Sequence, residues 1–308
     1  MAATSPRIEK RWRIAPSDPA AVESLRGAAG LTPVAARVLW SRGIRDPDAV
    51  RRFLYPSPSD LHDPLLLTGM RQAVDRLVRA VSGRERILLY GDYDVDGTTS
   101  VVILRKAIEM AGGDARFHIP HRLRDGYGMR PEVVERAAEE GVTLIVSVDT
   151  GIRAAQTVRR ATELGIDVII TDHHLPEAEL PPALAVLNPN QPGCGYPEKN
   201  LCGVGVAFKL VQALLASLGW PSGKLERTLL SFLKLAAIGT VADVVPLTGE
   251  NRVIVRHGLD GLDRVTNPGL RALLKVSGLE GAVPTAGQIA FRVAPRINAA
   301  GRMSTADD

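Results

Sequence analysis

Acidic and histidine side chains follow several apolar runs in this sequence of 308 residues. They lie in four segments: GDYDVDG at 91–97, SVDTG at 147–151, TDHH at 171–174 and VADVVPL at 241–247. Open α/β sheets bind ligands at the carboxyl ends of their strands, which is where such side chains would sit. Carboxylate oxygens with a little imidazole suit Mn²⁺ or Mg²⁺ better than zinc or copper. The pattern therefore predicts a metal-dependent enzyme.

The first segment offers three carboxylates, from Asp92, Asp94 and Asp96. On an extended chain all three would share one face, and in a turn their oxygens could converge on one cation. Such a cluster would repel itself unless a cation neutralised it. The alternative is a solvated turn followed by a helix cap, because Asp-Gly and Thr-Thr are common in turns and at helix N-termini.

The other segments add further candidate ligands. Asp149 could bind a metal or cap the helix that follows it. His173 and His174 stand beside Asp172, and adjacent imidazoles at a strand end are costly to pack unless something binds them. Asp243 has apolar neighbours, where an unpaired buried carboxylate would be expensive. A cation would supply the missing partner.

The elements that must position these residues alternate between strands and helices. The strand-like runs are ILLY, ARFHIP, TLIVSV, DVIIT and LAVLN. Helical patterns between them predict an α/β fold with a mainly parallel sheet covered by helices on both faces, followed by a mostly helical segment. Right-handed crossovers would bring the strand carboxyl ends, with the first three acidic segments, to one edge.

Three regions are predicted along the chain. Residues 1–80 form a helical N-terminal lead-in, and residues 81–200 form the first part of the α/β domain. Residues 201–308 are mostly helical and carry the fourth acidic segment and the NAAGR motif.

Composition narrows the class of protein without deciding it. The net charge of +4 is compatible with a polyanionic partner, whereas an aromatic content of 4% gives no sign of a base-stacking platform. No run approaches the roughly 18 apolar residues that a membrane span needs, and no secretory signal is recognisable. Cys194 and Cys202 form neither a disulfide framework nor a zinc site, so we expect buried or reduced thiols and a cytoplasmic location.

Taken together, the motifs resemble a known family. Four occur in the order and at about the spacing of the DHH phosphoesterase superfamily: DYDVDG, VDTG, DHH with its following LP, and GTVADVVPL. Four more resemble its RecJ branch: IPHRLRDGYGM at 119–129, LNPNQPGCGYP at 187–197, LCGVGVAFKL at 201–210 and PRINAAGRM at 295–303. The resemblance covers residues 86–303 and implies a single-strand-specific exonuclease that releases 5′-mononucleotides from a 5′ end, in DNA repair and recombination.

The resemblance also implies a site with two Mn²⁺ or Mg²⁺ ions. Asp149 would bridge both ions, and Asp94 and Asp96 would each bind one of them. His173 and Asp243 would complete the second ion's ligands.

Two further assignments follow from the resemblance. His174 would face the scissile phosphate. Many members of the superfamily have a histidine ligand where this chain has Tyr90, so Asp92 or water is expected to replace it. Such a pair of ions would activate water and stabilise the leaving 3′ oxygen in an in-line displacement.

Phosphate contacts are expected from Arg122, Arg302 and Asn298. The alternatives are surface ion pairs for the arginines and a tight packing turn for Asn298 and the small residues after it. The glycine-rich segment 203–209 could meet a phosphate at a helix N-terminus, but it lacks the spacing of a P-loop, so no nucleoside triphosphate is expected.

Two other functions stay open on the sequence. One is a DHH phosphodiesterase acting on short oligonucleotides or cyclic dinucleotides. The other is a non-catalytic, DNA-binding replication scaffold of the Cdc45 kind, which would not need a full ligand set.

In the RecJ branch a DHHA1 domain and an OB-fold normally follow the core, and the sequence is expected to lack both. A single-strand-binding protein is an expected partner.

Overall fold

The computed structural model describes residues 13–121, 126 and 128–303, with the backbone alone for 301–303. The chain divides into two compact units, Met1–Pro56 and Ser57–Asp308. Within the described residues of the first unit, 13–56, there are three short helices: α1 (Pro19–Ala29), α2 (Pro33–Ser41) and α3 (Pro47–Leu54). Each begins at a proline, and the residue before it caps the first turn with its side chain, which is a common way to start a helix.

The second unit is built on a parallel sheet of five strands in the order β2-β1-β3-β4-β5. The strands are β1 (Arg86–Tyr90), β2 (Ala115–His118), β3 (Val142–Val148), β4 (Asp167–Thr171) and β5 (Ala185–Leu187). The helices that precede or connect them are α4 (Met70–Ser82), α5 (Val95–Met110), α6 (Pro131–Glu139) and α7 (Ala155–Glu163). The predicted α/β fold with a parallel sheet is confirmed.

Alternate residues of the strands face two separate cores. Leu89 and Val146 pack with α4 and α5, whereas Leu88 and Ile145 pack with α6 and α7. Because both faces are covered, most positions of β1, β3, β4 and β5 are apolar, which makes these strands recognisable as short apolar runs. All five strands run in the same direction, so their carboxyl ends share one edge.

From Gly203 onward the described residues are mostly helical, as predicted. Its helices are α8 (Gly203–Ser217), α9 (Ser222–Ala242), α10 (Gly249–Asp260), α11 (Pro268–Val276), α12 (Ala286–Gln288) and α13 (Ala294–Met303). A π-helical turn at Ile289–Val293 leads into α13. Asn298 therefore lies within a helix, and the alternative of a tight turn there is wrong.

Two smaller predictions concern the cysteines and membrane-spanning helices. Cys194 and Cys202 are free and buried, as predicted. Among the described residues, no helix combines the length and the apolar character required to cross a bilayer.

Candidate metal centre

The first acidic segment runs from the end of β1 into α5. The strand ends at Tyr90, so the three acids do not share one strand face. Asp92 is buried in the connecting loop, and Asp94 caps α5 by accepting a hydrogen bond of 3.0 Å from the Gly97 N–H. Asp96 lies in the first turn of the helix. The cap expected as an alternative is therefore present, and it coexists with a cluster of acids.

Asp96 is held by the N-terminus of α8, which lies more than a hundred residues away in the sequence. Its two carboxylate oxygens accept the N–H groups of Gly203 at 2.6 Å and Val204 at 2.7 Å. These donors are thus already occupied, so the interpretation of segment 203–209 as a phosphate-binding N-terminus is wrong. A side chain at position 203 would place its Cβ 2.4 Å from Asp149 Oδ1, so only glycine allows this approach.

Asp149 directly follows β3, and its side chain lies against Gly203 at the N-terminus of α8. Its N–H continues the sheet by donating to the Thr171 carbonyl at 2.9 Å, and its φ of 60° lies in the left-handed region. Aspartate tolerates that conformation better than most residues. Helix α7 begins only at Ala155, so Asp149 does not cap it. The buried Oδ1 atom makes no hydrogen bond within the described part of the chain.

His173 lies at the centre of the cluster. Its Nε2 atom is 3.3 Å from Asp149 Oδ1, 3.8 Å from Asp96 Oδ2 and 3.8 Å from Asp243 Oδ2. Asp243 reaches this point from the C-terminal end of α9, so it follows a helix and not a strand. Three acids from separate segments of the chain therefore surround one imidazole nitrogen.

The candidate ligands form overlapping groups. In each group the possible ligand atoms lie within 4.8 Å of one another: Asp96, His173 and Asp243; Asp92, Asp94 and Asp149; and Asp149, His173 and His174. The first two groups match the predicted division between two ions, with Asp92 beside Asp94 as the predicted substitute for a histidine. Their binding of ions stays a prediction.

Tyr90 does not contribute to the cluster. It is fully buried, and its hydroxyl donates to the Gly128 carbonyl and accepts from the Arg130 N–H, both at 3.2 Å. Tyr90 therefore supports the loop before α6.

Burial and mutual repulsion shift the pKa values of the cluster. Burial and the charge of Asp243 raise the pKa of Asp96 to about 8. Burial and the charge of Asp96 raise the pKa of Asp149 well above its ordinary value. Burial and the charge of Asp94 raise the pKa of Asp243 to about 6. A cation would relieve both the desolvation and the repulsion, and the oxygen-rich set with one imidazole fits Mn²⁺ or Mg²⁺.

The pKa values of the three residues 172–174 shift in different directions. Burial and the charge of His174 lower the pKa of His173 to about 4, which leaves its imidazole neutral and able to bind a metal. Burial opposes ionisation of Asp172, but its contacts with His174 and the Ile152 N–H outweigh this and lower its pKa. The 2.7 Å contact with Asp172 Oδ1 in turn raises the pKa of His174.

These shifts predict that the metal-free protein loses stability as the pH rises from 6.5 to 8. Asp96 ionises near pH 3.8 when unfolded but holds its proton to about pH 8 when folded. Folding therefore takes up a proton in this window, and the free energy of unfolding falls with rising pH. His173 has a folded pKa of about 4 against 6.5 when unfolded, so its unfolded imidazole is half neutral at pH 6.5, loses its remaining proton across the window and offsets only part of the fall.

Urea unfolding in EDTA measures this effect. The free energy of unfolding should be smaller at pH 8 than at pH 6.5, and Asp96→Asn should reduce the difference. Mn²⁺ at a hundred times the Kd measured at each pH should add about 2.7 kcal/mol for each ion bound. A metal-free protein that gains stability across this window would contradict the prediction.

The predicted phosphate contacts fall at the margin of the described chain. Arg122 lies outside the described residues, and Arg302 is in the last turn of α13 with its side chain outside them. Asn298 is partly buried in α13, which packs against α5 and α9, the helices that carry Asp96 and end at Asp243. Their contact with phosphate stays a prediction.

Known proteins are similar to this chain in sequence and in fold. Residues 86–240 match the DHH family, N-terminal domain, and the chain belongs to the DHH family. It is 44% identical over 297 residues to the single-stranded-DNA-specific exonuclease RecJ of Bacillus subtilis (strain 168). The aligned region covers 96% of this chain and 36% of that protein. The predicted resemblance to the superfamily and its RecJ branch is confirmed.

Two solved structures are similar in fold. RecJ from Thermus thermophilus in complex with Mn²⁺ has a TM-score of 0.80 and 37% identity, covering 96% of this chain and 41% of that chain. RecJ from the same source in complex with Mg²⁺ has a TM-score of 0.70 and 33% identity, covering 96% of this chain and 38% of that chain. The chain spans between 36% and 48% of the length of the RecJ proteins of Bacillus subtilis and Escherichia coli.

Proposed function

We propose that the chain forms the catalytic core of a metal-dependent 5′→3′ exonuclease that degrades single-stranded DNA to 5′-mononucleotides. The observation that carries this proposal is the convergence of Asp96, Asp149 and Asp243 around His173 at the carboxyl edge of the sheet. Buried acids with raised pKa values are typical of functional sites. The RecJ relatives, described as single-stranded-DNA-specific exonucleases, support the choice of substrate.

The candidate ligands are divided between two ions. Asp96, His173 and Asp243 would hold one ion, Asp92 and Asp94 would hold the other, and Asp149 would be a ligand of both. When bound, two Mn²⁺ or Mg²⁺ ions supply an activated water and neutralise the phosphate.

His174 lies beside this site. Its Nδ1 atom is fixed by Asp172, and this contact holds the ring in one orientation and raises the pKa of the imidazole. A protonated ring can donate a hydrogen bond to an oxygen of the scissile phosphate, where negative charge develops. No covalent protein intermediate is needed.

The biological setting belongs to the same proposal. A single-strand exonuclease of this kind acts in DNA repair and recombination in the cytoplasm, on strands that a single-strand-binding protein also covers. Arg122, Arg302 and Asn298 contact the phosphates and so favour a 5′ end.

A comparison of substrates tests the function. Purified protein with Mn²⁺ is given single strands labelled at the 5′ or the 3′ end, a blunt duplex and a cyclic dinucleotide. We expect the 5′ label to be released at once as a mononucleotide and the 3′-labelled strand to shorten progressively, with the duplex resistant. Turnover of the dinucleotide alone would favour a small-substrate phosphodiesterase. Mn²⁺ binding without turnover of any substrate would contradict a catalytic role.

A further inference from the structure

The turn after β5 reaches back to the histidine pair. Asn188 is fully buried, and its Oδ1 atom accepts the N–H of Asn190 at 2.8 Å, which closes the turn around Pro189. The sequence singles out this LNPN segment as typical of the RecJ branch but gives it no role. The turn lies beside the end of β4, because the Asp172 N–H donates to the Leu187 carbonyl at 3.0 Å.

Each asparagine amide holds the backbone of one histidine. Asn190 Nδ2 donates to the His173 carbonyl at 2.8 Å, and Asn188 Nδ2 donates to the His174 carbonyl at 2.9 Å. Strand β5 ends at Leu187, so these amides take over where the hydrogen bonds between β4 and β5 stop.

The opposite side of the pair is held by Asp172. Its Oδ1 atom accepts the N–H of His173 at 2.7 Å and the N–H of His174 at 3.1 Å. The N–H and carbonyl groups of both histidines are therefore fixed by side chains that belong to neither residue. Fixing both backbones sets the direction in which the two rings leave the chain, and small errors in such geometry are costly for binding and catalysis.

We propose that Asn188 and Asn190 are positioning residues that serve different halves of the site. Asn190 orients His173 as a metal ligand, and Asn188 orients His174 toward the phosphate. This rests on the proposed function, which gives the two histidines those roles. Asn188 also holds the Asn190 N–H, so its loss affects both histidines, whereas the loss of Asn190 affects His173 alone.

Alanine variants of the two asparagines should separate these roles. Asn190→Ala should weaken Mn²⁺ binding by about 10-fold or more, as for other groups that orient metal ligands, and should leave kcat at saturating Mn²⁺ within about twofold of wild type. Asn188→Ala should lower kcat at saturating Mn²⁺ by at least about 10-fold and should also weaken Mn²⁺ binding. Asn190→Asp keeps the size of the side chain but cannot donate, so it should be as defective as Asn190→Ala.

Asn267→Ala provides a matched control. This residue caps α11 through a 2.9 Å hydrogen bond to the Leu270 N–H, so its loss also removes an asparagine contact. Mn²⁺ binding is measured by the paramagnetic resonance of free Mn²⁺, which does not depend on turnover. If neither turn variant differs from Asn267→Ala in Mn²⁺ affinity or kcat, or if Asn190→Asp behaves as wild type, the positioning role is wrong. Weakened Mn²⁺ binding in Asn190→Ala with an inactive wild type would instead contradict the nuclease function alone.

Discussion

Replacing Asp149 with asparagine should reduce DNA hydrolysis at saturating Mn²⁺ by at least about 10³-fold, since even groups that only orient metal ligands are worth about 10- to 100-fold. Among the described residues, Asp149 is the acid shared between a candidate group that contains His173 and the group that contains Asp94. Under the proposed assignment its replacement should weaken the binding of both ions. Asparagine has nearly the same shape and tolerates the left-handed backbone at this position, so the fold should be retained.

Asp114→Asn is a suitable control for this variant. Asp114 is exposed and precedes β2, at the edge of the sheet opposite the cluster, so the same chemical change there should leave activity within about twofold. Activity is measured as release of a 5′-terminal nucleotide from a labelled single strand. An Asp149→Asn variant that keeps the wild-type rate with Mn²⁺ would remove this residue from the metal centre.

The largest effect on stability is expected at a buried ion pair away from the cluster. Lys209 in α8 and Glu250 in α10 are completely buried, with Nζ 2.9 Å from Oε1. Lys209 also donates to the His62 carbonyl at 2.7 Å, and Glu250 accepts from the Tyr196 hydroxyl at 2.6 Å. Lys209→Met would leave the carboxylate without its cation, and the loss of one partner of a buried pair costs about 3–5 kcal/mol.

Urea unfolding of matched variants measures this loss. Lys275→Met, at an exposed position in α11, should change the free energy of unfolding by no more than about 0.5 kcal/mol. The double variant Lys209→Met/Glu250→Gln should be more stable than Lys209→Met, because no uncompensated charge stays buried. A single variant as stable as the Lys275→Met control would show that the pair contributes nothing.

The fold was predictable because both faces of the sheet are buried. Residues such as Leu89 and Ile145 then form short continuous apolar runs, which differ clearly from the amphipathic helices between them. The candidate ligands were predictable for a related reason. Parallel strands end at one edge, so Asp96, Asp149 and His173 had to lie near one another once the order of elements was known.

Contacts between distant segments were not predictable from local patterns. The hydrogen bonds from the N-terminus of α8 to Asp96 join residues that are 107 and 108 positions apart. They depend on the absence of a side chain at Gly203, which in the sequence looks like part of any glycine-rich helix start. The contacts of Asn188 and Asn190 were equally unpredictable. An Asn-Pro-Asn sequence indicates a turn, but it does not show which groups the side-chain amides contact.

Anomalous diffraction from crystals soaked in Mn²⁺ can show whether Asp149 is a ligand of two metal ions, as proposed. We predict two peaks about 3.5–4 Å apart, one beside Asp94 and the other beside His173, with Asp149 between them. Crystals of Asp149→Asn should show weaker peaks at both positions. A single peak, or two peaks with Asp149 in contact with only one, would show that Asp149 is not a ligand of two ions.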